Sequence, residues 1–236
     1  MKRIVSIGAA AAIVVAGCGQ SGEYKPTPVK SVQPAVVARG EERVLFPLQI
    51  GNQWVYTVED QQRKGTQAAS RTAEVVFRVT NTENVGDGVK ATVEVSLDNK
   101  VQELQSWLVD STGIYQLAGG KAGTPYEPKQ PAILFPVDTG RTFRWTGKGL
   151  MPDGGTGSGT LDNKILGPQE VDTEMGRMSA FCVETSGTFQ SQRGQGKMRS
   201  MVWWAPKVGL VRWRMEMTVG DFGATQTLRL KSYTLK

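Results

Sequence analysis

From Val44 onward, apolar and polar residues alternate with a period of two. Val89, Ala91, Val93, Val95 and Leu97 alternate with Lys90, Thr92, Glu94, Ser96 and Asp98. Val211, Trp213, Met215, Met217 and Val219 alternate with Arg212, Arg214, Glu216 and Thr218. A strand sends successive side chains to opposite faces, so each segment has one apolar and one wet face. That is the habit of antiparallel sheets, whose second face can meet solvent. Glycine-containing breaks at Gly86-Asp87-Gly88, Gly119-Gly120, Met175-Gly176 and Gly220-Asp221 supply turns. No amphipathic helix longer than two turns is visible. The pattern predicts an all-β domain over residues 44–236, built as a curved antiparallel sheet or half-barrel.

Two motifs occur twice, in the same order. Leu45-Phe46-Pro47-Leu48, then Gly51, Trp54 and Tyr56, matches Leu134-Phe135-Pro136-Val137, then Gly140, Phe143 and Trp145. Trp107-Leu108 followed by Gly113-Ile114-Tyr115 matches Trp203-Trp204 followed by Gly209-Leu210-Val211. Between the motifs each copy holds a hairpin, over residues 74–97 and 159–185. Proline presets φ before the turn, and Gly51 and Gly140 can accept a positive φ. The expectation is two related β units, with halves at 44–125 and 130–236 that share one core.

The N-terminus reads as an address. Lys2 and Arg3 precede an apolar stretch from Ile4 to Ala16, too short for the ~20 residues that span a bilayer and suited to a secretory signal. Its end, Val15-Ala16-Gly17-Cys18, resembles the lipobox of bacterial lipoproteins. The resemblance implies a signal peptide over 1–17 and lipidation of Cys18. Residues 18–43 carry Pro26, Pro28 and Pro34 among polar residues and read as a flexible tether, with a span of very roughly 25–30 Å.

The phrase FPLQIGNQWVY at 46–56 resembles a pattern of uncharacterised bacterial secreted proteins and lipoproteins: Phe-Pro-Leu, two residues, Gly, two residues, Trp, one residue, Tyr. WWAPKVGLVRW at 203–213 resembles their later W-x-A-P-x-V-G-L-V element. GPQEVDTEMGRMSAFCVE at 167–184 is similar to their intervening hairpin, with Glu174-Met175-Gly176 in place of Pro-Ala-Gly. The resemblance spans about 46–213. It implies a curved antiparallel sheet akin to the half-barrels of lipoprotein carriers, and it supplies no catalytic residues.

Composition narrows the chemistry. The chain of 236 residues has no histidine, which removes Ser-His-Asp and Cys-His catalysis and all His-ligated metal sites. Two cysteines cannot form a four-cysteine zinc site, and lipidation of Cys18 leaves Cys182 without a partner, in the apolar run Ser179 to Val183. Loss of Lys2 and Arg3 lowers the formal charge from +6 to +4, and no run of five like charges exists, so a nucleic-acid partner is not expected. The glycine-rich stretch 153–162 has Gly159 where a calcium nonapeptide needs aspartate, and reads as a loop. Glu170, Asp172, Glu174 and Glu184 are candidate paired carboxylates, but a wet sheet face explains them without chemistry. No cofactor and no metal are called for.

Six Trp and eight Met remain, and every Met after Met1 falls at or beyond Met151. Aromatics on strands usually build the core, whereas adaptable Met-rich surfaces can receive apolar ligands or varied partners. Trp204, Trp213, Met215 and Met217 are the candidate ligand or partner face. Trp203 and Trp204 are adjacent, so they face opposite ways. The sequence therefore reads as a non-catalytic, lipid-anchored cell-envelope protein with a binding or structural role. Its expected partners are the membrane, through the anchor, and an envelope protein or apolar ligand. The expected location is the outer membrane in a Gram-negative host, because Gly19 is not acidic. The alternatives are a carrier of lipid or another apolar ligand and, third, a carboxylate-dependent hydrolase. A ligand-sized apolar cavity would favour the carrier.

Overall fold

The computed structural model describes residues 32–236. The signal peptide, Cys18 and most of the expected tether lie outside the described residues. After a short 3-10 turn at Glu42–Leu45, twelve strands follow. They are β1 (Gln53–Lys64), β2 (Gln67–Val85), β3 (Gly88–Leu97), β4 (Lys100–Asp110), β5 (Gly113–Gly119) and β6 (Thr124–Leu134). The second six are β7 (Thr142–Leu150), β8 (Thr156–Thr173), β9 (Gly176–Ser191), β10 (Gly194–Ala205), β11 (Gly209–Val219) and β12 (Phe222–Thr234).

Each strand pairs antiparallel with its chain neighbour, and β12 returns to β1. The architecture is all-β and antiparallel, as the alternation predicts. The sheet goes beyond a curved sheet or half-barrel and closes completely. Closure removes both exposed edges, whose unpaired N–H and C=O groups would invite other strands. The closing seam is continuous, from Gln53 opposite Thr234 to Lys64 opposite Phe222, with one bulge at Val55/Tyr56. The β6–β7 seam is weak, with only Glu127 opposite Lys148 in register among the described residues. Pro125, Pro128 and Pro131 explain this, because proline has no N–H to give to a ladder.

The alternating residues sort as predicted. Ala91, Val93, Val95 and Leu97 of β3 and Val211, Met215 and Met217 of β11 are buried. The hairpins expected over 74–97 and 159–185 correspond to β2–β3 and β8–β9. Trp54 is the second residue of β1 and Phe143 the second of β7, while Trp107 lies in β4 and Trp203 in β10. Each matched pair is thus six strands apart. Gly51 and Gly140 both hold a positive φ, 91° and 86°, as their turns demand.

One end of the barrel is stoppered by the chain that leads into β1. Leu45, Phe46 and Leu48 are buried in the main core. Phe46 sits among three indoles, with ring centroids 5.6 Å from Trp54, 5.3 Å from Trp107 and 5.2 Å from Trp204. The Lys207 N–H donates to the Val44 carbonyl, and Arg43 pairs with Asp87, so the plug is tied to the turns at that end. Ala35 is buried and its N–H donates to Ser179 Oγ, while Arg39 pairs with Asp138. These contacts extend the packed chain upstream of Val44, where the alternation placed the start of the domain.

Candidate ligand cavity

Inside the barrel, the aromatic layer above Phe46 is separated from a second, smaller cluster. That cluster comprises Trp145, Met151, Leu161, Phe189, Met217 and Ala224. A cavity of about 230 Å³ lies between them. Its apolar walls include Trp107, Trp204, Trp213, Trp145, Phe189 and Met215. Alternation builds this wall: Met198, Ser200, Val202 and Trp204 are successive inward positions of β10, and Trp213 and Met215 are inward positions of β11.

Of the four residues proposed from sequence as a ligand or partner face, Trp204, Trp213 and Met215 therefore share one cavity. Met217 stands apart, buried in the second cluster and lining a broader groove of about 730 Å³. That groove also includes Gln62, Ala69, Lys197 and Ala224. Met198 lines both spaces, so a flexible thioether stands between groove and cavity. Trp203 takes the opposite face from Trp204, as adjacency requires. Its Nε1 donates to Gln169 Oε1 at 3.1 Å, and the Arg212 guanidinium lies 5.5 Å from its ring.

A polar belt crosses the cavity wall, and sequence reasoning missed it. Glu103, Gln105, Asn163, Thr185 and Ser200 are buried and line the space. Thr185 Oγ1 donates to Asn163 Oδ1 at 2.7 Å, and Trp107 Nε1 donates to Gln105 Oε1 at 2.9 Å. Glu103 is 3% exposed. Its Oε1 accepts from the Gly120 N–H at 2.8 Å and from Gln105 Nε2 at 3.2 Å. Among the described residues its Oε2 has no hydrogen-bond partner, and neither does Trp204 Nε1. Leaving a buried polar group unpaired costs roughly 1–3 kcal/mol, more when it is charged. Burial pushes the Glu103 carboxyl above its ordinary value, against the two hydrogen bonds that pull it down. Tyr126, across from it, is raised by burial and by the Glu103 charge. The one available signal was that Glu103 and Gln105 occupy every second position of a strand, with Trp107 and Val109 continuing the same face.

The other sequence candidates lie elsewhere. Glu170 and Asp172 both pair with Arg177, and Glu184 pairs with Arg199. Glu174 sits in the β8–β9 turn, where its N–H donates to the Leu230 carbonyl. Among the described residues, no group of three or more metal-ligating side chains comes together. The glycine-rich stretch forms the β7–β8 turn and the start of β8. There Gly157 lets two backbones meet: a Cβ would fall 1.9 Å from the Gln190 carbonyl oxygen. Cys182 is fully buried, and burial, then the Glu184 charge, pushes its thiol up to about 12.

No protein-family model matches the chain. No curated protein matches it either. Solved structures do. A candidate lipoprotein from Parabacteroides distasonis shares the fold at a TM-score of 0.51 and 11% identity, covering 80% of this chain and 98% of its own. A candidate exported protein with a YmcC-like fold from Bacteroides fragilis matches at a TM-score of 0.46 and 13% identity, over 80% of this chain and 98% of its own. The hypothetical lipoprotein YmcC from Escherichia coli matches at 0.36 and 14%, over 84% and 90%. The barrel is thus an architecture also found in the Parabacteroides distasonis protein, a likeness of fold alone.

Proposed function

We propose that this protein is a non-catalytic, lipid-anchored envelope barrel that holds a small amphipathic molecule in its interior. The cavity carries the reading: an aromatic floor, a second apolar cluster beyond it, and a polar belt between. Such a combination of apolar wall and few placed polar groups is what small-molecule sites use to bind and orient. At about 230 Å³ the space falls below the roughly 300–1,000 Å³ of pockets for drug-sized ligands. Its occupant is accordingly small, not a whole diacyl lipid. The proline-rich β6 seam beside Tyr126 and Pro131, and the groove behind Met198, are the two breaks through which a ligand would pass.

The envelope location rests on the lipobox-like Val15-Ala16-Gly17-Cys18 and accords with the lipoprotein description of the Parabacteroides distasonis neighbour. The role assigned is binding, because the carboxylates at Glu170, Asp172 and Glu184 are taken up by arginines and, among the described residues, one acid faces the cavity. The six-strand spacing of the repeated motifs supports an origin in two related halves.

Native mass spectrometry with organic extraction, on protein purified from its own envelope and paired with crosslinking in cells, tests the reading. A co-purifying small molecule released by unfolding is the expected result. An empty barrel with a specific crosslinked protein would replace the carrier role with an interaction role.

A further inference from the structure

We propose that the occupant carries an amine, with its ammonium group at Glu103 and its apolar body among Trp107, Trp145 and Trp204. This deepens the cavity reading and rests on it. Among the described residues, Glu103 is the one charged side chain lining the cavity, and neither lysine nor arginine faces the space. An anionic head group would therefore meet an uncompensated carboxyl, whereas a cation would meet its counter-charge. The Glu103 hydrogen bonds are lopsided in the way such a site needs. Oε1 is fixed by Gly120 and Gln105, which orients the carboxyl, while Oε2 lacks a donor. An ammonium group brings three donors and no acceptor.

Further polar groups gather beside Oε1 of the same carboxyl, around Gly119. A Cβ built on Gly119 would lie 3.1 Å from Gln116 Nε2, 3.3 Å from Glu103 Oε1 and 3.6 Å from the Tyr126 hydroxyl. Tyr126 stacks edge-on against Trp145, with centroids 6.1 Å apart, so an aromatic pair stands beside the carboxyl. Cations are attracted to such ring faces, most strongly where water is excluded. Burial raises the Glu103 carboxyl above its ordinary value, and an ammonium beside it would oppose that shift by favouring the charged carboxylate.

Isothermal titration of the full-length protein in detergent, with three probes of one shape, tests this. They are 2-phenylethylamine, 2-phenylethanol and 3-phenylpropanoate. The amine should bind at least tenfold more tightly than the alcohol, and the acid should not register. Glu103→Gln keeps a polar amide in place of the carboxyl and removes the charge. It should weaken the amine at least tenfold and leave the alcohol unchanged, with the melting temperature retained as the check on folding. The wild-type ranking decides the matter alone if that variant does not fold. An alcohol that equals the amine, with no effect of Glu103→Gln, would overturn the amine assignment while leaving the cavity as a binding site. Failure of all three probes to bind would also overturn the amine assignment. The cavity reading would still be judged separately, by the co-purified mass.

Discussion

Phe46 is the residue through which the plug grips the barrel, and its removal gives a calculable loss. Phe46→Ala deletes a buried ring that touches Trp54, Trp107 and Trp204. Buried Phe→Ala changes cost roughly 3–5 kcal/mol from lost transfer energy and the cavity left behind. Aromatic pairs add ~0.5–1.5 kcal/mol each beyond area, though they share one ring and do not simply sum. The three indole contacts put the expected loss in the upper half, at about 4 kcal/mol. For a domain of this size each kcal/mol lowers the melting temperature by roughly 2–4 °C, so the midpoint should fall by about 8–16 °C. Urea unfolding followed by tryptophan fluorescence is the assay, since the indoles that report unfolding are those Phe46 touches. Phe46→Leu should recover about half of the loss, because volume returns without the ring contacts. A loss under about 1 kcal/mol for Phe46→Ala would refute the plug as a structural element of the barrel.

Cys18→Ala should release the protein from membranes or block its maturation, read by fractionation; unchanged attachment would remove the lipid anchor from the account. Cys182 should resist a thiol reagent at pH 8 in the native state and react fully on unfolding, because burial disfavours its thiolate. Asp110→Asn should lower stability by about 1–2 kcal/mol at pH 7, through lost charge-assisted bonds from Lys129 at 3.0 Å and the Thr112 N–H at 2.7 Å. Burial would raise the Asp110 carboxyl, but the Thr112 and Lys129 bonds outweigh it and hold it below its ordinary value. Its contribution is therefore present above the unfolded value near pH 4 and lost as pH falls through the folded one. The two proteins' urea midpoints should accordingly converge at pH 2.

The strands were legible because one face of each is apolar, and β3 and β11 show it most plainly. Turns with glycine were legible too: Gly86-Asp87, Gly120 and Gly220-Asp221 all fall between strands. The β3–β4 turn was not, because Asp98 and Asn99 adopt positive φ without a glycine to mark it. Closure of the sheet was hidden for a different reason. Alternation fixes the face of each strand but says nothing of whether the first and last strands meet. The plug was hidden because Leu45-Phe46-Pro47-Leu48 has no period, and its burial depends on a barrel end that only the whole fold creates. Trp204, Trp213 and Met215 were legible as one face. Glu103 and Gln105 were not, since on a strand an inward polar residue looks like an outward one until its neighbours are known. The match of Trp107 to Trp203 also hides a shift. Trp204, not Trp203, is the inward position of β10, and it is Trp204 that meets Trp107, at 6.3 Å.

The central claim is that the barrel interior is occupied by a small molecule. A crystal structure of the protein purified from its own envelope, without refolding, tests it most directly. Continuous density, larger than water, should fill the cavity between Glu103 and Trp204. Isolated waters alone, or a cavity closed by inward collapse of Met198 and Trp145, would contradict it.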